Sequence, residues 1–171
     1  ILDLLNKTSN ISCYEIDKFR FNLLKQNISH YNNNNNVKLI NDNFLNCNNF
    51  NYNKILLDVP CSGTGVINRK PDIKLRRKLK DICKFSSYQL KLLNCASKLL
   101  KENGQIIYST CSILNDENWD VINIFLESND FKIKNAKNYI EEQYTDQKGA
   151  MVIIPDKHKQ EGMFAVKLVK Q

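Results

Sequence analysis

Lys54-Ile55-Leu56-Leu57-Asp58 is a short continuous apolar run ending in a carboxylate, followed at once by Val59-Pro60-Cys61-Ser62-Gly63-Thr64-Gly65-Val66. A run this short, bounded by Pro and Gly, is the pattern of a parallel strand buried on both faces that gives way to a turn-rich loop. Upstream, Ile11 to Glu15 and Val37 to Ile40 repeat the motif, the first ending in Glu15 and the second followed by Asp42. Between them Lys18 to Ile28 reads as a helix, with Phe19, Leu23, Leu24 and Asn27 near helical spacing. Downstream, Leu92, Leu93, Ala96, Leu99 and Leu100 make one face of a helix expected from about Ser86 to Lys101, and Gly104 stands where a helix end favours positive φ. Gln105 to Tyr108 is a further strand, with a loop from Ser109 to Asn115. Asn115 or Asp116 is expected to cap a helix that turns Trp119, Ile122, Phe125 and Leu126 inward. Ala150 to Ile154 and Met163 to Val169 close the pattern as strands. This alternation predicts an open α/β sheet. Ligands bind such sheets at the carboxyl ends of the strands, where Glu15, Asp42 and Asp58 stand. Acids there suit ribose hydroxyls, an adenine edge or the cationic group of a nucleoside cofactor.

Length and composition set the outer bounds. A chain of 171 residues with 42% hydrophobic content suits one domain or most of one, and excludes a wholly disordered polymer. No apolar run approaches the roughly 18 residues of a membrane span. Nothing near Ile1 has the layout of a secretory signal, so a secreted protein is not expected, and the compartment stays open between cytoplasm and organelle. Six cysteines without a CxxC pair, and only His30 and His158, fit neither a disulfide scaffold nor a metal cluster. Reduced thiols are the expectation. Asparagine is over-used at 25 residues, five of them consecutive at 32–36, which reads as a surface loop.

Two cysteines stand apart from the other four. Cys61 and Cys111 each lie just past an expected strand on the same sheet edge, in the settings Pro60-Cys61-Ser62-Gly63 and Ser109-Thr110-Cys111-Ser112. One loop thiol is most often a small apolar filler. Two in matching positions point to thiolate chemistry. Trp119 and Phe125 are read as core anchors, Cys83 and Cys95 as core or spare thiols, and both histidines as surface residues.

The stretches LDVPCSGTGVINRKPDIK (57–74) and YSTCSI (108–113) resemble the Nop/Sun family of RNA (cytosine-5)-methyltransferases, the RKPDIK part looking most like the bacterial ribosomal small-subunit methyltransferase B branch. YEIDKFR (14–20) is similar to the family's acidic second-strand motif, with Glu15 for the usual Asp. IND (40–42) is similar to its third-strand acid, and the segment from Gly149 to Lys170 to its closing strands. The resemblance implies a Rossmann-like class I sheet that uses S-adenosyl-L-methionine. It makes Cys111 the nucleophile and Cys61 the thiol that releases product. It places Glu15 on the cofactor ribose, Asp42 on the adenine side, and Asp58 near both cofactor and target base. Carbon 5 of cytosine is a poor nucleophile until a thiolate adds at carbon 6. A second group must then remove the carbon 5 proton so that the first thiol can leave. The base must also be unstacked to be reached.

Arg69, Lys70, Lys74, Arg76, Arg77, Lys78 and Lys80 stand against a single acid, Asp72, directly after the first cysteine loop. With an overall charge of +7, this segment implies phosphate contacts, and Arg69, Lys70, Lys74 and Arg76 are the expected RNA-binding residues. The partner implied is RNA, ribosomal before transfer RNA, with no membrane and no metal.

The family's Ala-Pro-Gly-Gly-Lys loop after a first strand has no counterpart, and Ile1 to Leu5 looks like the helix that would follow it. The expectation is a partial catalytic domain over 1–171, lacking that strand and loop and binding the cofactor weakly on its own. Two other functions stay open: a nicotinamide-dependent Rossmann oxidoreductase, in which Glu15 would also suit a ribose, and a non-catalytic RNA-binding module with this fold.

Overall fold

The computed structural model describes residues 10–31 and 37–171. The asparagine run 32–36 and the helix expected at Ile1 to Leu5 lie outside the described residues. The chain divides into two compact units, Ile1–Asn48 and Asn49–Gln171.

In the first unit, strand β1 (Ile11–Tyr14), helix α1 (Lys18–Tyr31) and strand β2 (Val37–Ile40) form a β-α-β element. The strands run parallel, Ile11 opposite Val37 through Tyr14 opposite Ile40, and Glu15 N–H extends the ladder to the Ile40 carbonyl at 3.1 Å. Asp17 caps α1, its Oδ1 accepting the Arg20 N–H at 2.8 Å. The buried stripe overlaps the expected one only at Leu24. Ile28 is buried and Phe21 and Leu24 are half-buried, whereas Phe19 is 72% exposed and Leu23 is exposed too. Both sets have helical spacing, and packing selects the one a third of a turn away. After β2, Tyr14 meets Phe44 edge-on at 5.5 Å and donates to the buried Cys47 Sγ at 3.1 Å.

The second unit holds a five-stranded sheet. Strand β3 (Tyr52–Asp58) pairs in parallel with β4 (Leu100–Thr110), Lys54 opposite Gln105 through Asp58 opposite Ser109. The segment between them carries α2 (Ile73–Arg76) and α3 (Leu79–Leu99). Beyond β4 come α4 (Trp119–Ser128), β5 (Phe131–Lys134), β6 (Met151–Ile153), α5 (Pro155–His158) and β7 (Met163–Lys170). The spatial order is β3-β4-β7-β5, with β7 antiparallel to both neighbours and β6 pairing its first half.

Burial alternates along these strands. Ile106 and Tyr108 of β4 and Phe164, Val166 and Leu168 of β7 are buried, as are Leu92, Leu93, Ala96 and Leu99 of α3 and Val121, Ile122 and Phe125 of α4. Phe164 is packed edge-on by Trp119 at 5.5 Å and Tyr108 at 6.4 Å, and Phe125 lies 5.1 Å from Phe131. Trp119 and Phe125 are core residues. The run at 54–58 is not covered on both faces, for Leu57 is buried while Leu56 is 56% exposed.

Local details also depart from the sequence reading. Helix α3 begins at Leu79 rather than near Ser86, because the Asp81 carboxylate accepts the Lys78 N–H at 3.0 Å; its first turn exposes Leu79 and so shows no apolar face. The left-handed residue after α3 is Asn103 (φ 60°), not Gly104. Glycine is required at 104 for space, since a Cβ there would stand 2.7 Å from the Lys101 carbonyl oxygen. The sequence reading also passed over β5, a four-residue strand whose alternate lysines face outward.

Candidate active site

The two cysteine loops leave the sheet side by side because β3 and β4 are parallel neighbours. Val59 N–H donates to the Ser109 carbonyl at 3.1 Å, carrying the ladder one residue past Asp58. From there the loops are stitched together. Gly65 N–H donates to the Cys111 carbonyl at 2.9 Å, and Gly162 N–H donates to the Gly65 carbonyl at 2.8 Å. A Cβ on Gly65 would lie 2.5 Å from the Gly162 carbonyl oxygen, and one on Gly162 would lie 2.7 Å from Gly65 Cα. Three backbone segments therefore touch at a point where only glycines fit. Gly63, at φ 78°, makes the turn that precedes it.

This geometry sets Cys61 Sγ 3.0 Å from Cys111 Sγ, both half-buried. The thiol hydrogen bond from Cys61 lowers the Cys111 pKa to about 7, against the opposing pull of burial and of the negative charges of Asp58 and Glu117. The same bond pushes Cys61 well up, with burial and the Cys111 charge adding to it. A dithiol so arranged offers a nucleophilic thiolate beside a thiol that keeps its proton. Asp58 is exposed at the exit of β3, its Oδ1 3.3 Å from Ser109 Oγ.

The residues flanking the two cysteines join a polar cluster that the sequence reading missed. Glu117 is fully buried in a 3-10 turn (Asn115–Glu117), where its Oε1 accepts from Ser62 N at 2.8 Å and Gln89 Nε2 at 3.1 Å while Oε2 accepts from Ser62 Oγ. Gln89 Nε2 also donates to the Pro60 carbonyl at 2.9 Å. Tyr108 donates to the Glu117 carbonyl at 2.6 Å. Thr64 Oγ1 and Ser112 Oγ stand 3.0 Å apart, and Arg77 donates to the Ser62 carbonyl at 3.1 Å with its guanidinium 4.9 Å over Phe85. Neither Asn115 nor Asp116 caps α4. Asn118 precedes it, and its side chain instead accepts from Thr110 Oγ1 at 2.6 Å and donates to the Ser112 carbonyl at 2.9 Å, bracing the second loop. Tyr108→Phe is expected to cost about 1–2 kcal/mol, because the buried Glu117 carbonyl loses its donor; chemical denaturation measures it.

In the first unit Glu15 and Asp42 stand at the ends of adjacent parallel strands. Asn41 Nδ2 donates to the Glu15 carbonyl at 2.8 Å and ties those ends together. Glu15 Oε1 accepts from Asp17 N at 2.8 Å and lies 3.3 Å from Arg20, and Asp42 Oδ1 accepts from Asn43 N and Asn46 Nδ2. These bonds orient each carboxylate through one oxygen and leave the other as an acceptor, which suits a nucleoside's hydroxyls and amine.

The basic segment is less free than its sequence implied. Arg69 pairs with Glu161 at 3.0 Å and Arg76 with Asp72 at 3.2 Å. Lys70 and Lys74 are exposed and pair with no acid among the described residues.

The strand order β3-β4-β7-β5 of the second unit, with Asp58 at the exit of β3, is that of the class I S-adenosylmethionine-dependent methyltransferases. The chain belongs to the family described as 16S rRNA methyltransferase RsmB/F, whose profile matches residues 1–169. It is 40% identical over 120 residues to the ribosomal RNA small subunit methyltransferase B of Shewanella oneidensis, covering 70% of this chain and 27% of that protein. It is 52% identical over 79 residues to a probable ribosomal RNA small subunit methyltransferase B of Coxiella burnetii, covering 46% of this chain and 18% of that one. The chain thus spans about a quarter or less of these relatives. Among solved structures it is similar to NSun6 from Pyrococcus horikoshii with SFG (TM-score 0.84, 27% identity, 99% of this chain and 43% of that one). It is also similar to a methyltransferase homolog protein of the same organism (TM-score 0.78, 29% identity, 95% of this chain and 53% of that one).

Proposed function

We propose that this chain carries the thiol machinery for methylating carbon 5 of cytosine in RNA, with ribosomal RNA as the first candidate substrate and transfer RNA as the second. The observation that carries the reading is the Cys61–Cys111 pair, two sulfurs 3.0 Å apart at the exits of adjacent parallel strands, with Cys111 the readily ionised member. The Cys111 thiolate adds to carbon 6 of an unstacked cytosine, and the ring's electrons move toward carbon 5. S-adenosylmethionine, when bound, supplies an electrophilic methyl group. Glu15 and Asp42 are the carboxylates of the first unit suited to its ribose and adenine. Asp58 is the exposed carboxylate closest in sequence to the thiols and suits the amidine edge of the base. In the last stage the carbon 5 proton leaves and the carbon–sulfur bond to Cys111 breaks. Cys61, held protonated in the resting pair, returns a proton to the departing sulfur and takes up the one that is lost.

The test is incubation of the protein with S-adenosylmethionine and RNA containing 5-fluorocytosine. Fluorine at carbon 5 cannot leave as a proton does, so a covalent adduct through Cys111 is expected on a denaturing gel. Retained RNA without an adduct would favour a binding module, and nicotinamide binding with poor RNA affinity an oxidoreductase. Thiol titration offers a second check. Carbamidomethylation of Cys111 by iodoacetamide, followed by peptide mass spectrometry, is expected to be half-maximal near pH 7 and to rise above it, since the lowered pKa places the thiolate on the alkaline side. In Cys61→Ala the stabilising hydrogen bond is gone, so the midpoint moves upward toward the ordinary thiol range. For the basic segment, Lys70→Ala and Lys74→Ala are each expected to weaken binding across RNA sequences and to reduce the slope of log affinity against log salt by about one.

A further inference from the structure

Glu117 has no part in the chemistry above, yet it is the most heavily bonded buried acid of the second unit. Among the described residues no Lys or Arg forms an ion pair with it: its carboxylate is held by a main-chain N–H, a hydroxyl and an amide N–H. Those donors belong to the elements that must be in register for the two sulfurs to meet. Ser62 directly follows Cys61, and Gln89 of α3 holds both Glu117 and the Pro60 carbonyl on the other side of Cys61. Glu117 itself belongs to the segment that follows Cys111, pinned there by the bond from Tyr108 to its carbonyl. Cys61 is thus bracketed by two residues that both lead to one carboxylate.

We propose that Glu117 is the positioning residue of the dithiol: its buried carboxylate fixes the first cysteine loop against the second, so that Cys61 faces Cys111 within hydrogen-bond distance. The inference rests on the reading of these two thiols as the reacting pair. A network that satisfies every donor rigidifies its surroundings, and one with a member removed leaves buried groups without partners. The charge of Glu117 has a second effect. Together with Asp58 it opposes ionisation of Cys111, while Cys61 favours it, so the resting thiolate is set by these three groups.

Two reagents test this without RNA or methyl donor, so the outcome is separable from failure of the methylation reading. Diamide links neighbouring thiols, and the Cys61–Cys111 disulfide is quantified by peptide mass spectrometry. Iodoacetamide reports the Cys111 pH profile. In Glu117→Gln the amide oxygen can still accept from Ser62 N and Gln89, while its nitrogen donates to Ser62 Oγ. Cross-linking is expected to stay within about twofold of the parent, and the alkylation midpoint to move to lower pH because a negative charge is gone. In folded Glu117→Ala, cross-linking is expected to slow by about tenfold or more, the cost of lost orientation between reacting groups. Should that variant not fold, Ser62→Ala, which keeps the main-chain bond to Glu117 but removes the hydroxyl's contacts with Glu117, Thr64 and Ser112, is expected to slow cross-linking several-fold. Parent-like cross-linking in folded Glu117→Ala or in Ser62→Ala, or an unmoved alkylation profile in Glu117→Gln, would overturn the assignment.

Discussion

Cys111→Ala is expected to abolish both the 5-fluorocytosine adduct and methyl transfer, the latter by at least about a thousandfold, with the melting temperature nearly unchanged. The size of the effect follows from the chemistry: without a nucleophile at carbon 6, carbon 5 of cytosine does not attack, and no neighbouring group replaces the sulfur. Cys61 is 3.0 Å away but is the thiol whose proton is held. Its own replacement should have the opposite signature. In Cys61→Ala with ordinary cytosine RNA, addition and transfer proceed while elimination fails, so a Cys111-linked adduct accumulates on a denaturing gel. Cys83→Ala serves as the control, since Cys83 is exposed on α3. Adduct formation by Cys111→Ala would overturn the nucleophile assignment. Absence of an adduct in Cys61→Ala would move the release role elsewhere, with Asp58 next in line.

The largest effect on stability is expected at Gly65. An alanine methyl there would meet the Gly162 carbonyl oxygen at 2.5 Å and the Cys111 carbonyl oxygen at 2.8 Å, both backbone atoms that cannot rotate away. Relief requires separating the three segments, which breaks the bonds from Gly65 N to Cys111 and from Gly162 N to Gly65. A loss of about 3 kcal/mol or more is expected, with a melting temperature lower by roughly 10 °C. Gly162→Ala attacks the same contact from the other side and should behave alike, so the double variant should cost less than the two losses combined. A Gly65→Ala protein that melts with the parent would show that the three segments are not locked together.

The parallel strands and the pairing of the cysteine loops were legible in the sequence because both are local. A short apolar run bounded by an acid and a proline needs no tertiary partner to be read, and two cysteines placed alike after two such runs share a sheet edge as soon as the strands are neighbours. What escaped is what depends on packing. Glu117 sits in Asn115-Asp116-Glu117-Asn118, which reads as a polar, solvated helix start, and only the fold reveals that its third residue is buried against Ser62. An acid just before an apolar helical stripe, two residues ahead of Trp119, was the one available signal. Phe19 misled because two apolar stripes coexist on α1, and strand β5 because lysines alternate with Phe131 and Ile133. Arg69 and Arg76 looked free for phosphate because Glu161 is remote in sequence and Asp72 was counted only as a charge.

Strand β7 is the final element of the chain order, yet it lies inside the sheet, hydrogen-bonded to β4 on one side and to β5 and β6 on the other. A polypeptide emerging from the ribosome therefore cannot assemble this layer progressively from its N-terminal side. The gap between β4 and β5 stays open until Met163 to Lys170 has been synthesised, and Gly162, at the doorstep of that strand, completes the glycine contact at the same moment. Nascent chains stalled before residue 162 should thus remain sensitive to protease across the second unit, and thiol reactivity typical of the mature pair should arise abruptly once the last strand is inserted.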